Sequence, residues 1–112
     1  SVMLAENILT YSDELPTAIF AAVDDGARAV ADVSAVRGIR IPEDLSIFCG
    51  LLNFSKACEP ADFTGYLKKN EMLGQLGFNM LMEWLTNPQY RPYCRKIYPT
   101  KIIGTSVAPP RP

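Results

Sequence analysis

The stretch GIRIPEDLSIFCG, Gly38 to Gly50, constrains the fold more than any other part of this chain. Gly38 can adopt the left-handed conformation that closes a helix, and Pro42, four residues on, cannot continue one. Glu43 and Asp44 then form a solvated turn, and LSIFCGLL follows as an apolar run of strand length. Helix, turn and buried strand in that order make half of a parallel βαβ unit.

The flanking sequence extends the alternation. Leu4, Ile8, Tyr11 and Leu15 recur at helical spacing, and Ser12, Asp13 and Pro16 mark the exit of a first helix. TAIFAA, Thr17 to Ala22, is apolar without alternation, as expected of a strand covered on both faces. Asp24 and Asp25 stand where the N-cap and first turn of a second helix belong, running from Gly26 to about Arg37. Its surface is small (Ala27, Ala29, Val30, Ala31, Val33, Ala35, Val36), so it can lie close to a sheet on one side and a partner on the other. NFSKACEPADF reads as an irregular polar connection and TGYLKK as a short strand. Asn70 is a good N-cap for a third helix through about Leu85, closed by TNP. Leu73, Leu76, Met80 and Trp84 form one stripe of that helix, with Phe78, Leu81, Met82 and Leu85 around much of the rest, so it needs cover on more than one side. RKIYPTKII is a strand broken at Pro99, and the tail GTSVAPPRP is expected to form no core element. The order predicts an α/β fold with a mainly parallel sheet and flanking helices. Ligands in such folds sit at the carboxyl ends of strands, which are Ala22–Asp25, Gly50–Asn53 and Lys68–Asn70.

Composition narrows the function. A chain of 112 residues that is 48% hydrophobic makes one globular domain by length. Eleven basic against twelve acidic side chains leave a net charge of -1, so no surface is built to hold nucleic acid by counterion release. The chain has no histidine, which removes Ser-His-Asp and Cys-His mechanisms and the commonest zinc sites, and no catalytic constellation, metal site or cofactor motif replaces them. No run approaches the length of a membrane span. Cys49, Cys58 and Cys94 are an odd set at unrelated spacings and read as reduced thiols of a cytoplasmic protein. The interleaved tyrosines and cations of QYRPYCRKIYPTK fit an amphipathic edge segment better than a single-strand nucleic-acid site.

Four segments, PTAIFAAVDDGARAV, GIRIPEDLSIFCG, FTGYLKKNEMLGQLGFNML and YPTKIIGTSVAPP, resemble in order and spacing the C-terminal part of the effector-binding core of lactose-repressor-type (LacI/GalR) transcription regulators. The IPEDLS turn before a strand and the closing SVAPP carry most of that likeness. The resemblance implies a periplasmic-binding-protein type 1 fold, two α/β lobes hinged around a small molecule, commonly a sugar or nucleoside derivative. It implies that residues 1–68 and 100–112 belong to the C-terminal lobe and 70–98 to the N-terminal lobe. It further implies a homodimer, with Ala27, Val30, Ala31 and Ser34 on the pairing helix, and DNA binding only through a helix-turn-helix headpiece that does not precede Ser1. A transport protein of the same fold, or the same sensor on a GntR-type headpiece, are the alternatives.

The resemblance places the effector contacts at Val23, Asp24, Leu51 or Leu52, and Lys68. The family usually has Asn at the Val23 position, Asp where Leu51 or Leu52 stands, and often Gln at the Lys68 position. Asp24 is kept, and fits an N-cap as well as a ligand contact. Buried sugar hydroxyls left without partners are costly, so this pattern points to a different kind of effector or to a site that has lost its effector. Lys68 can hold an anion such as a sugar phosphate, or be a solvated lysine at a strand end.

Overall fold

The structure is a computed structural model, which describes residues 2–11, 14–52 and 63–112. The expected helix exit at Ser12 and Asp13, most of the polar connection after β2, and Cys58 lie outside the described residues. The elements are α1 (Val2–Tyr11), β1 (Ala18–Val23), α2 (Asp24–Val36), β2 (Ser46–Leu52), β3 (Thr64–Leu67), α3 (Asn70–Thr86) and β4 (Thr100–Ile102). The four strands form one sheet in the order β1-β2-β3-β4, and both β1–β2 and β2–β3 are parallel. The chain divides into two compact units, residues 1–67 with 101–112, and residues 68–100.

In the first unit, α2 packs on β1 and β2, and α1 packs on α2. Small residues make this layering possible: Ala27, Ala29, Val30 and Val33 are buried and let the helix approach Ala21, Ile47 and Cys49 of the sheet. Ile47 is fully buried, and truncating such a side chain to alanine costs about 2–5 kcal/mol. The face of α1 that turns inward carries Ala5 and Leu9 rather than Leu4, which is 62% exposed. A small residue at the contact allows the two helices to lie close together.

The turn singled out in the sequence has the expected chemistry. Gly38 has φ of 71°, its N–H donates to the Ala35 carbonyl (3.3 Å), and the Ile39 N–H donates to the Ser34 carbonyl (2.9 Å). These two bonds close α2 in a Schellman arrangement. Beyond it, Arg40 and Asp44 form a bidentate ion pair with both contacts at 2.9 Å, and the Arg40 backbone N–H also donates to Asp44 Oδ2 (2.9 Å). Asp44 is therefore tied down, not merely solvated.

Four expectations are corrected. Asp24 is not the N-cap of α2: Val23 holds that position and Asp24 is the first helical residue, its Oδ1 accepting the Asp25 N–H at 3.0 Å. Likewise Lys69, not Asn70, precedes α3 as its cap. β1 is covered on one face only, with Ala21 buried and Phe20 68% exposed. The tail, expected to stay outside the core, is built into it: Ser106 is fully buried and Arg111 donates to the carbonyls of Pro16 and Asp44 (3.2 and 2.6 Å) and of Leu15. Those carbonyls precede β1 and β2, so one guanidinium closes the amino end of both strands.

In the second unit no residue of α3 is buried, and Thr86 Oγ1 donates to the Met82 carbonyl (2.8 Å) in its last turn. After it, Tyr90 and Tyr93 stand with ring centroids 6.2 Å apart, and burial pushes the Tyr90 hydroxyl above its usual value.

The Arg40 side chain, then its backbone N–H, hold the Asp44 carboxyl down at about 2, against an ordinary 3.8. A depressed carboxyl favours the folded state above its unfolded value and loses that contribution as pH falls from near 3.8 towards 2. In a carbon-detected NMR titration, Asp44 is expected to titrate near 2. Its midpoint should rise part of the way in Arg40→Ala, where the backbone bond survives; an unchanged midpoint would contradict the ion pair.

Candidate functional site

The carboxyl ends of the parallel strands gather the residues named from the sequence. Val23 ends β1 and pairs in register with Leu51 of β2. Both are exposed, at 42% and 37%, so an apolar pair stands at the rim of the sheet. Asp24 follows directly at the start of α2 and is only 7% exposed. Leu52 pairs with Leu67 of β3 and is 1% exposed, which makes it a core residue; the rim position belongs to Leu51. A register irregularity lies between Cys49 and Leu52 and decides which leucine turns inward. Lys68 comes immediately after β3, is exposed, and is the first residue of the second unit.

Two features of this rim were not read from the sequence. Phe20, Phe48 and Tyr66 form an aromatic row across three strands, with centroids 5.6 Å apart and nearly parallel for the first pair, and 5.8 Å apart and edge-on for the second. Gly50 makes room for it, since a Cβ there would lie 2.8 Å from the Phe20 ring. The aromatics share one phase of the strand alternation, a signal that is visible only once the register is known. The second feature is an apolar groove of about 230 Å³ along β1, lined by Leu4, Ile8, Ile19, Phe20, Val23 and Val30 among others. Neither contributes a charged group.

The residues expected to pair subunits differ in exposure. Ala27, Val30 and Ser34 are buried within the chain itself, and only Ala31 of the four is half-exposed. The surface that α2 leaves open carries Arg28, Asp32, Ala35 and Val36. Among the described residues no group of three potential metal ligands occurs, and no helix is long and apolar enough to cross a membrane.

The contrast between the two leucines is testable. Leu52→Asp places a carboxylate in the core and is expected to cost about 3 kcal/mol or more in urea unfolding. Leu51→Asp should stay within about 1 kcal/mol of the native chain. Equal costs would mean that the strand register at the rim is wrong.

Known proteins fit this geometry. Residues 2–107 match the periplasmic binding protein-like domain. The HTH-type transcriptional repressor PurR of Erwinia tasmaniensis is 35% identical over 95 residues, covering 83% of this chain and 27% of that protein. The repressor of the same name from Escherichia coli O1:K1 is 29% identical over 107 residues, covering 92% of this chain and 30% of the relative. The chain thus spans less than a third of the length of these curated relatives. The solved structure of a LacI family transcriptional regulator from Bifidobacterium animalis subsp. lactis superposes with a TM-score of 0.83 at 24% identity, over 97% of this chain and 40% of that one. With its parallel sheet, its closing turn and its match over nearly the whole length, the chain belongs to the periplasmic binding protein-like domain family.

Proposed function

We propose that this chain is the ligand-sensing and dimerisation region of a LacI-type transcription regulator that acts in the cytoplasm and controls DNA binding through a headpiece elsewhere in the protein. The observation that carries this reading is the domain match over residues 2–107 together with relatives that are HTH-type transcriptional repressors. The mechanism is allosteric: a small-molecule effector favours one arrangement of the lobes and thereby one placement of two headpieces. No catalytic step enters it.

The effector site of this reading is the carboxyl rim, with Val23, Leu51 and Asp24 on the first unit and Lys68 directly after β3. An exposed Val–Leu pair offers no hydrogen bonds to sugar hydroxyls, whereas an ammonium is a natural partner for phosphate. Neutral sugars are therefore not expected to bind through the usual family contacts. Calorimetry on the full-length protein with a panel of sugars and sugar phosphates checks this. Tight binding of a neutral sugar that Lys68→Ala abolishes would count directly against the assignment.

Dimerisation follows from exposure. Phe78, Leu81, Met82, Trp84 and Leu85 of α3 are each between 42% and 72% exposed, together more apolar surface than soluble monomers usually present. Burial of that surface between copies, with α2's open side as a second contact, accounts for it. Light scattering is expected to give a dimer or larger species; a stable, non-aggregating 12.4 kDa monomer would overturn the proposal.

A further inference from the structure

β2 begins at Ser46, but β3 begins only at Thr64, which stands opposite Phe48. The first two residues of β2 therefore have a strand beside them on the β1 side alone. The tail supplies the other side. The Ile47 N–H donates to the Ser106 carbonyl (2.8 Å), and Ser106 Oγ donates back to the Ile47 carbonyl (2.6 Å). One residue thus satisfies both backbone groups of Ile47, as a strand partner would. One step lower, Ser46 Oγ accepts the Ala108 N–H (3.0 Å) and donates to the Ala108 carbonyl (3.1 Å).

Ser106 does more than complete β2. Its Oγ also accepts the Thr64 N–H at 2.8 Å, and the Gly104 N–H donates to Thr64 Oγ1 at 3.0 Å. The hydroxyl is therefore shared between the start of β3 and the start of β2, at a residue that is fully buried. The chain leaves the first unit after Leu67 and returns at Lys101. Thr64 opens the strand that leads out, and Ser106 lies on the segment that leads back. Beside the β2–β3 pairing and the backbone bonds of the tail, one side-chain oxygen is thus bonded to both passages and to β2 at once.

We propose that Ser106 is a hinge pin, a positioning residue that ties the outgoing strand β3 and the returning segment to β2 so that the two passages between the units move as one. A buried hydroxyl with a donor and an acceptor in place resists displacement, because breaking either bond leaves a backbone group unsatisfied. The inference rests on these hydrogen bonds alone and is independent of which effector, if any, the rim accepts.

Distance measurements between spin labels test it. One label goes on the native Cys94, which is exposed in the second unit, and the other on Glu43→Cys in the exposed turn before β2, in a Cys58→Ser background that leaves the buried Cys49 unlabelled, with the labelled protein diluted into unlabelled chain. Ser106→Ala is expected to widen the distance distribution about two-fold, and to speed hydrogen exchange at the Thr64 and Gly104 amides. Val33→Ala, a core truncation outside the network, should lower thermal stability without widening the distribution. Thr64→Val keeps the shape but removes the acceptor for Gly104, and should widen it in the same direction if Ser106→Ala does not fold. Equal widths for native, Ser106→Ala and Thr64→Val chains would overturn the proposal. So would a native distribution already as wide as the variants, or equal widening by Val33→Ala.

Discussion

The first unit depends on β2 being hydrogen-bonded along both edges. β1 supplies one edge over almost its whole length, from the Ala18–Ser46 pair to the Val23–Leu51 pair. The other edge is divided between β3 above and the tail below, and that division explains the serines. A short strand leaves backbone groups of β2 facing a gap, and a buried gap of that kind is tolerated only when something polar fills it. Ser46 and Ser106 fill it while staying small enough for the tail to lie directly against the sheet. Gly65 belongs to the same packing: a Cβ there would sit 2.0 Å from the Cys49 carbonyl oxygen, so β3 approaches β2 closely only because that residue has no side chain.

From this central strand the other layers follow. Ile47 and Cys49 turn one face towards α2, and the small residues of that helix let α1 pack behind it. The opposite face carries the row of Phe20, Phe48 and Tyr66, which is polar only at the Tyr66 hydroxyl. The dense hydrogen bonding lies at the amino end, where Arg111 holds the carbonyls that precede β1 and β2. The carboxyl end has the reverse character, an apolar rim with the Asp24 carboxylate tucked against the first turn of α2.

Local signals carried well from sequence to structure. The Gly38 stop, the apolar strands and the helices after them all depend on neighbours within a few residues, and each forms where the pattern puts it, give or take one or two positions. What failed to carry depends on distant partners. The tail's place in the core rests on bonds that span 40 to 96 residues, and no period in GTSVAPPRP announces them. At the rim, strict alternation from the buried Ile47 and Cys49 would turn Leu51 inward; the irregularity after Cys49 buries Leu52 instead. The helix stripe of Ala27, Val30 and Ser34 is a true apolar face, but periodicity gives a face and not the identity of what covers it. In this chain the cover is its own core.

The difference between the two ends of the sheet suits the sensing role proposed above. Closure around a small molecule needs a fixed base, or the energy of binding is dissipated in deforming the lobe rather than shifting its orientation. Here the base is fixed by hydroxyl and guanidinium contacts to backbone carbonyls and N–H groups, which are directional and lose most of their value when geometry slips. At the rim the side chains of Val23 and Leu51 are apolar and exposed, and apolar contacts are non-directional and accept changes of side chain more readily. Substitutions at Val23 and Leu51 can therefore alter what the rim accepts without disturbing the strands beneath it, whereas a change at Ser106 reaches β2, β3 and the returning chain at once. The departure from the family's usual polar contacts and the directional bonds that hold the fold lie at opposite ends of the same strands, so the one leaves the other undisturbed.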